Sequence, residues 1–481
     1  MKIKLVLVII ILLTVQQVTL SQNTQEFDPN ITYPVDSLKV WTKGLMGELS
    51  ESQPGFYRYT SKTDFDQSID STINSFNLPL KPIDYYRKLK PLIAKIGCLH
   101  TSIHLSEDYT NYIEEQYTLF PFEIFIDENG KAFISKNHSN NPEITIKSEL
   151  ISINKQTIAQ IVATLMNAIP SDGYNKTLKT LMINHRFSFW YQTIIYLGNK
   201  YEVEIKTESG RKTYILDGIH KDKFESIEEL SGENEQQLVF DIKDNTGFLT
   251  VKSFSKSTIR ANGQKFNSFI KRVFKILKDE NIQNLVIDLR YNTGGSDSNA
   301  VFLASHFFDE PYRYWDKIEV TESIASQIKG ITRLFYKKPE KKDSTYLWKA
   351  GKLTKEFDYY RVQKPSKNNF KGNVYLITNG LCMSSCADFT AILSSNQKAT
   401  IIGQETGGGY QGNTSGMMPE EPINEFMSVI IPLQKYTNYV DSKKNFGRGT
   451  MPDINIQYTL EDWINKKDLE MSATKKLVKE D

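Results

Sequence analysis

Cysteine is scarce in this chain: 481 residues hold three, Cys98, Cys382 and Cys386. That is too few for a disulfide scaffold, although an exported chain can still pair two of them. Cys382 and Cys386 lack the short spacing and histidine partners of a zinc site, so no metal is read there. An excess of one charge is also missing, with 59 Lys and Arg against 57 Asp and Glu. Phosphate binding rests on clustered Lys and Arg, so nucleic acid is excluded as a partner. Repeats and low-complexity tracts are absent as well. The apolar run from Leu5 to Leu13 is too short to span a bilayer comfortably.

That run is nevertheless informative. Lys2 and Lys4 precede it, and small or polar residues follow down to Thr19-Leu20-Ser21. Basic, then apolar, then a small residue at the cut is the pattern of a signal peptide. The cut is placed after Ser21, which gives a segment 1–21 and a mature chain from near Gln22. No cysteine stands near the end of the run, which argues against a lipid anchor. The mature chain is expected to be exported, periplasmic or secreted, with no membrane span and a formal charge of about zero.

Hydrophobic residues make up 39% of the chain and charged residues 24%, enough for a sizeable buried core. Residues 22–103 are expected to form an N-terminal helical region. Within it Asp84 to Ala94 has apolar positions at helical spacing, and Gly97 is a natural stop. Residues 104–230 carry strand-like runs, with Phe120, Phe122, Ile124 and Ile126 in alternation. Residues 236–470 read as an α/β domain. Gly247–Val251, Leu285–Leu289, Val374–Thr378 and Thr400–Ile402 are short apolar runs. Between the first two, Phe266, Phe269, Ile270, Val273, Phe274 and Leu277 form a helical stripe. Strands alternating with helices predict a largely parallel sheet. The polar, aromatic stretch from about 305 to 370 breaks the rhythm and reads as an insertion near the active face.

Three segments carry chemistry. Ile287 to Gly295 runs a buried strand into Asn292, Thr293, Gly294 and Gly295. Such glycines let backbone N–H groups face a ligand, as an oxyanion hole requires, though alone they also suit a tight turn. Asp288 and Arg290 are read as bracing that loop. Asn379 to Phe389 takes a strand end through a turn into a helix, placing Ser384 and Ser385 where helix N–H groups are free. A plain serine cap with Asp388 in the first turn has the same pattern. Ile96 to Ile103 puts His100 between a helix stop and a strand. His100 and His104 lack the helix and Glu of an H-E-x-x-H metal motif. Neither serine has the G-x-S-x-G elbow, which disfavours an α/β-hydrolase.

Together and in this order, the segments resemble the serine peptidases that include the tail-specific (C-terminal processing) proteases, tricorn protease and interphotoreceptor retinoid-binding protein. The family's "I-D-L-R-x-N-x-G-G" resembles Ile287 to Gly295, and "T-x-S-A-x-E" resembles Met383 to Asp388, with Cys386 and Asp388 as departures. "I-G-x-x-T-x-G" resembles Ile402 to Gly408, "D-G-H-T" resembles Cys98 to Thr101, and "G-x-x-P-D" resembles Gly449 to Asp453. The resemblance implies a ClpP/crotonase-like α/β core and makes a PDZ-like module an expected companion. Ser148 to Ile158 is similar to the PDZ "G-D-x-I-L-x-I-N-G-x-x-V" stretch, with Lys155 in place of a glycine.

By the same resemblance Ser385 is the nucleophile, with Ser384 as the alternative register. Cys386 and Gly294 or Gly295 then supply the oxyanion N–H groups. The lysine base of tail-specific members is missing from Thr406-Gly407-Gly408-Gly409-Tyr410, so the tricorn-like His100 is the expected base. Its orienting acid is Asp388 or Glu405. A histidine base predicts an acid limb of activity at roughly pH 6 to 7. The expected activity is endopeptidase cleavage of a peptide or protein through an acyl-enzyme, without a cofactor or metal. A decayed peptidase fold used for binding and a PDZ-like adaptor are the alternatives, and the oligomeric state is left open.

Overall fold

The structure is a computed structural model and describes residues 27–207, 210–224, 235–334, 336–343, 345–349 and 361–480. The expected signal peptide, residues 1–21, lies outside the described residues. Among those described, no helix is long and apolar enough to cross a membrane.

Three helices open the fold: Val35–Ser52, Lys62–Asn74 and Pro82–Lys95. The third begins on a proline, whose fixed φ suits a first helical position, and ends just before Gly97 at φ +69°. The chain then enters the strand Ser102–Leu105, which pairs antiparallel with Met427–Ile430, more than 300 residues later. This pairing ties the helical region to the C-terminal half.

The middle of the chain builds an antiparallel sheet in the order Phe122–Ile126, Ala132–Asn137, Glu149–Ile153, Lys200–Thr207, Gly210–Asp217. Phe120, Phe122, Ile124 and Ile126 are all buried, as their alternation predicts. A register shift between Glu123 and Ile124 also brings Phe125 inside. Asn154 and Lys155 make the turn after Glu149–Ile153 with φ of +47° and +66°. Lys155 thus adopts the left-handed backbone of the glycine it replaces. Thr157 closes a capping box with Gln160 and starts the helix Ile158–Ala168.

The expected parallel sheet is present. Its order is Ile454–Asn455, Thr400–Gly403, Asn373–Thr378, Asn284–Asp288, Thr246–Val251, Leu238–Lys243, parallel throughout except for the last pair. Its strands are apolar on both faces. Leu285, Ile287, Leu376 and Ile401 join the main core, while Val286, Tyr375, Ile377 and Ile402 pack towards Met471 and Leu477 of the C-terminal helix. Burial on both faces explains why these segments read as unbroken apolar runs.

The stretch read as an insertion supplies three strands of a further, five-stranded antiparallel sheet. Trp315–Val320 pairs with Gln434–Asn438, and Trp315 and Trp348 are fully buried. Polar composition hid a structural sheet here.

Candidate active site

The loop after Asn373–Thr378 is held by short-range hydrogen bonds. Asn379 Oδ1 accepts from Leu381 N–H (3.0 Å) and from Tyr291 N–H (3.1 Å) of the neighbouring loop. Met383 N–H donates to the Asn292 carbonyl (3.2 Å). So fixed, the chain turns at Ser384 with φ +51° and ψ −130°, and the helix Ser385–Ser395 follows. A left-handed backbone at a non-glycine residue costs on the order of 1–3 kcal/mol and is kept only where the surroundings over-determine it. The Ser384 hydroxyl caps no helix N–H. It lines a cavity of about 320 Å³ together with His100, Gly294, Gly295, Tyr291 and Lys252.

Ser385 is placed differently. It is 1% exposed, it does not line the cavity, and its Oγ is buried with no hydrogen-bond partner among the described residues. The structure therefore places Ser384, not Ser385, in one cavity with His100. The cause is the turn itself: the left-handed residue ends the loop facing the cavity, and the next side chain points into the core.

The backbone N–H groups expected as oxyanion donors are placed differently as well. Cys386 N–H donates to the Met383 carbonyl (3.0 Å) and Gly294 N–H to Asn292 Oδ1 (2.9 Å), so both expected donors are engaged. Among the described residues, the N–H groups of Ser385 and Gly295 have no partner. Gly294 and Gly295 have φ of +103° and +134°. A Cβ on Gly294 would stand 2.8 Å from Ser384 Cβ, and one on Gly295 2.2 Å from Ser255 N, so side chains are excluded at both. Arg290 braces the loop as expected, reaching Asp288 (2.6 Å) and also Asp468 (2.8 Å) and Glu470 (3.2 Å).

His100 sits in the loop between Gly97 and the strand Ser102–Leu105. Its Nδ1 is buried without a partner, and burial pushes its pKa down to about 4 against a smaller opposing pull from the Thr414 carbonyl.

Neither expected orienting acid reaches it. Glu405 accepts from Arg448 (2.9 and 2.7 Å), Thr177 (2.7 Å), Asn175 (3.2 Å) and Gly449 N–H (2.8 Å), which commits it to holding loops together. Asp388 accepts from Asn438 (2.9 Å) and Asn413 (3.1 Å) on the buried side of its helix. Burial pushes its pKa up to about 7, and the Asn438 hydrogen bond opposes the rise.

The acid beside His100 is Asp172, which sequence reasoning missed. Its two oxygens accept from Leu99 N–H (3.1 Å) and Gly409 N–H (3.0 Å), clamping the His100 loop to the glycine-rich loop. Donor atoms of Cys98, His100 and Asp172 all lie within 4.8 Å of one another. The available signal was Ser171-Asp172-Gly173, a turn pattern on a sheet-and-helix segment far from the other motifs.

With this geometry in place, residues 245–456 match the model of peptidase family S41. Over these residues, somewhat under half of the chain, it is similar to peptidase family S41. The S41 match includes Gly294, Gly295, Ser384 and Ser385 and leaves out His100 and Asp172. Among solved structures, the chain is similar to mature CPAF complexed with lactacystin, at 13% identity and a TM-score of 0.61. That match covers 92% of this chain and 98% of that one. It is also similar to mature CPAF, at 12% identity and a TM-score of 0.58, over 90% and 94% of the two chains. At such identity the likeness speaks for a shared fold. The S41 match supports a serine-type peptidase, a hydrolase acting on peptides or proteins.

Proposed function

We propose that this peptidase cleaves through Ser384 and His100. The observation that carries the assignment is the left-handed turn that sets Ser384 in one cavity with His100 and the two glycines. The resemblance pointed to Ser385, one residue further on. The buried, unpartnered Oγ of Ser385 argues against that register.

In this reading His100 takes the Ser384 proton as Oγ attacks the scissile carbonyl carbon. The N–H groups of Ser385 and Gly295 face the resulting oxyanion. The protonated imidazole then gives its proton to the leaving amine, and an acyl-enzyme remains. Water, deprotonated by His100, attacks the ester and frees Ser384. Asp172 is a positioning residue: it fixes the backbone that carries His100. A fluorophosphonate should label the full chain once, and mass mapping should place the adduct on Ser384. An adduct on Ser385 would restore the other register, and no adduct would favour a peptidase fold used only for binding.

We also propose a ClpP/crotonase-like core for the parallel sheet and its helices. The support is the β-α alternation with the site at the ends of neighbouring strands. The antiparallel sheet of residues 122–217 is proposed as PDZ-like, supported by the turn at Asn154 and Lys155. Export to the periplasm or outside the cell is proposed on the N-terminal pattern.

A further inference from the structure

The site holds a cluster that hydrolysis does not use in full. Cys98, His100 and Asp172 place one thiol, one imidazole and one carboxylate oxygen within 4.8 Å of each other. They come from two segments joined by the hydrogen bond from Leu99 N–H to Asp172 Oδ1. A second observation points to a ligand: His100 Nδ1 is buried with no partner. A buried imidazole nitrogen is normally satisfied, so its orphaned lone pair or proton calls for a partner. Of the three, His100 lines the cavity, while Cys98 and Asp172 are buried behind it, so a solute would reach the cluster past His100 from the Ser384 side.

We infer that Cys98, His100 and Asp172 form a binding site for a soft divalent cation of the zinc class, and that the ion switches the peptidase off. Sulfur, nitrogen and oxygen donors suit zinc, while calcium and magnesium take oxygen ligands. Zinc bonds of about 2.0–2.3 Å require the three atoms to close to within about 4 Å of each other, a side-chain adjustment on the order of 1 Å. Three protein ligands leave the fourth position towards the cavity. Coordination occupies the imidazole lone pair that would take the Ser384 proton. Cys98 loses its proton to solvent on binding and gives up its contact with the Thr414 carbonyl (3.3 Å), so occupancy should rise with pH. The inhibitory consequence rests on His100 being the base, whereas metal binding itself does not.

Cobalt(II) separates the two. Titrated into the full chain, it should bind at one equivalent with a near-ultraviolet thiolate-to-cobalt band that zinc then abolishes. The band should vanish in Cys98→Ala and in Cys98→Ser, and weaken in Asp172→Asn. Zinc should lower the fluorophosphonate labelling rate at least tenfold, with recovery on chelation, and Cys98→Ser should blunt that zinc effect relative to its own metal-free rate. No thiolate band with the unaltered chain overturns the site whatever the variants do. A band that persists in a folded Cys98 variant assigns the metal to Cys382 and Cys386 and overturns it equally. Binding without inhibition keeps the site and refutes His100 as the base.

Discussion

Ser384 and Ser385 are chemically identical neighbours, and only backbone geometry separates them. Ser384 stands in a strained conformation at the cavity, while Ser385 is sealed beneath it. Ser384→Ala should reduce labelling and peptidase rates by about three orders of magnitude or more, since the base then has nothing to activate. Ser385→Ala keeps the backbone N–H and removes only an unsatisfied buried hydroxyl, so its loss should stay below about tenfold, with stability changed by less than about 1 kcal/mol. The reverse order of effects would reinstate Ser385. His100 carries a second expectation. In the proposed mechanism the base is neutral imidazole, and burial lowers the His100 pKa to about 4. The labelling rate should therefore hold as pH falls through 6.5 and decline only towards about 4, below the range of an ordinary histidine. An acid limb at 6 to 7 would mean that the imidazole is hydrated in the working enzyme.

At the scale of elements, legibility followed periodicity. The helix Phe266–Asp279 and the strands of the parallel sheet were readable because each buries a regular stripe or a whole run. The sheet built by Trp315–Val320 and Gln434–Asn438 was not, because its strands are short and mixed in polarity, and their pairing spans over 100 residues. Asp172 and the left-handed turn at Ser384 were hidden for the same reason: long-range packing, not local propensity, sets them. The edge strand Gly210–Asp217 yields a prediction of its own. It pairs on one side with Lys200–Thr207 and carries Ile215 at 73% exposure. If this edge takes an extended substrate as an added strand, Ile215→Lys should slow cleavage of protein substrates several-fold and leave fluorophosphonate labelling unchanged. Equal rates on protein substrates would make the sheet a structural part only.

Across the whole molecule, burial of ionisable groups sets how stability responds to pH, and Asp388 offers the clearest case. It lies on the buried side of the helix Ser385–Ser395, with its pKa pushed up to about 7 by burial, from an ordinary value near 3.8. A folded pKa above the unfolded one means that the native state holds the proton longer. Its stabilising contribution is complete below about pH 4 and is lost as pH rises through about 7. The histidines His100, His185 and His306 run the other way. Burial lowers each to about 4, so each favours the folded state above pH 6.5, and that advantage fades as pH falls towards 4. A stability curve of the unaltered protein mixes these opposing contributions, so the test must be a difference. Asp388→Asn keeps the shape and an acceptor for Asn438 or Asn413, and it does not titrate. Its stability relative to the unaltered protein should rise steadily between pH 4 and 7 and then level off, read from denaturant midpoints at matched slopes. A difference that is flat across that window would show that Asp388 ionises in the folded protein as readily as in the unfolded chain. Its amide partners would then outweigh its burial.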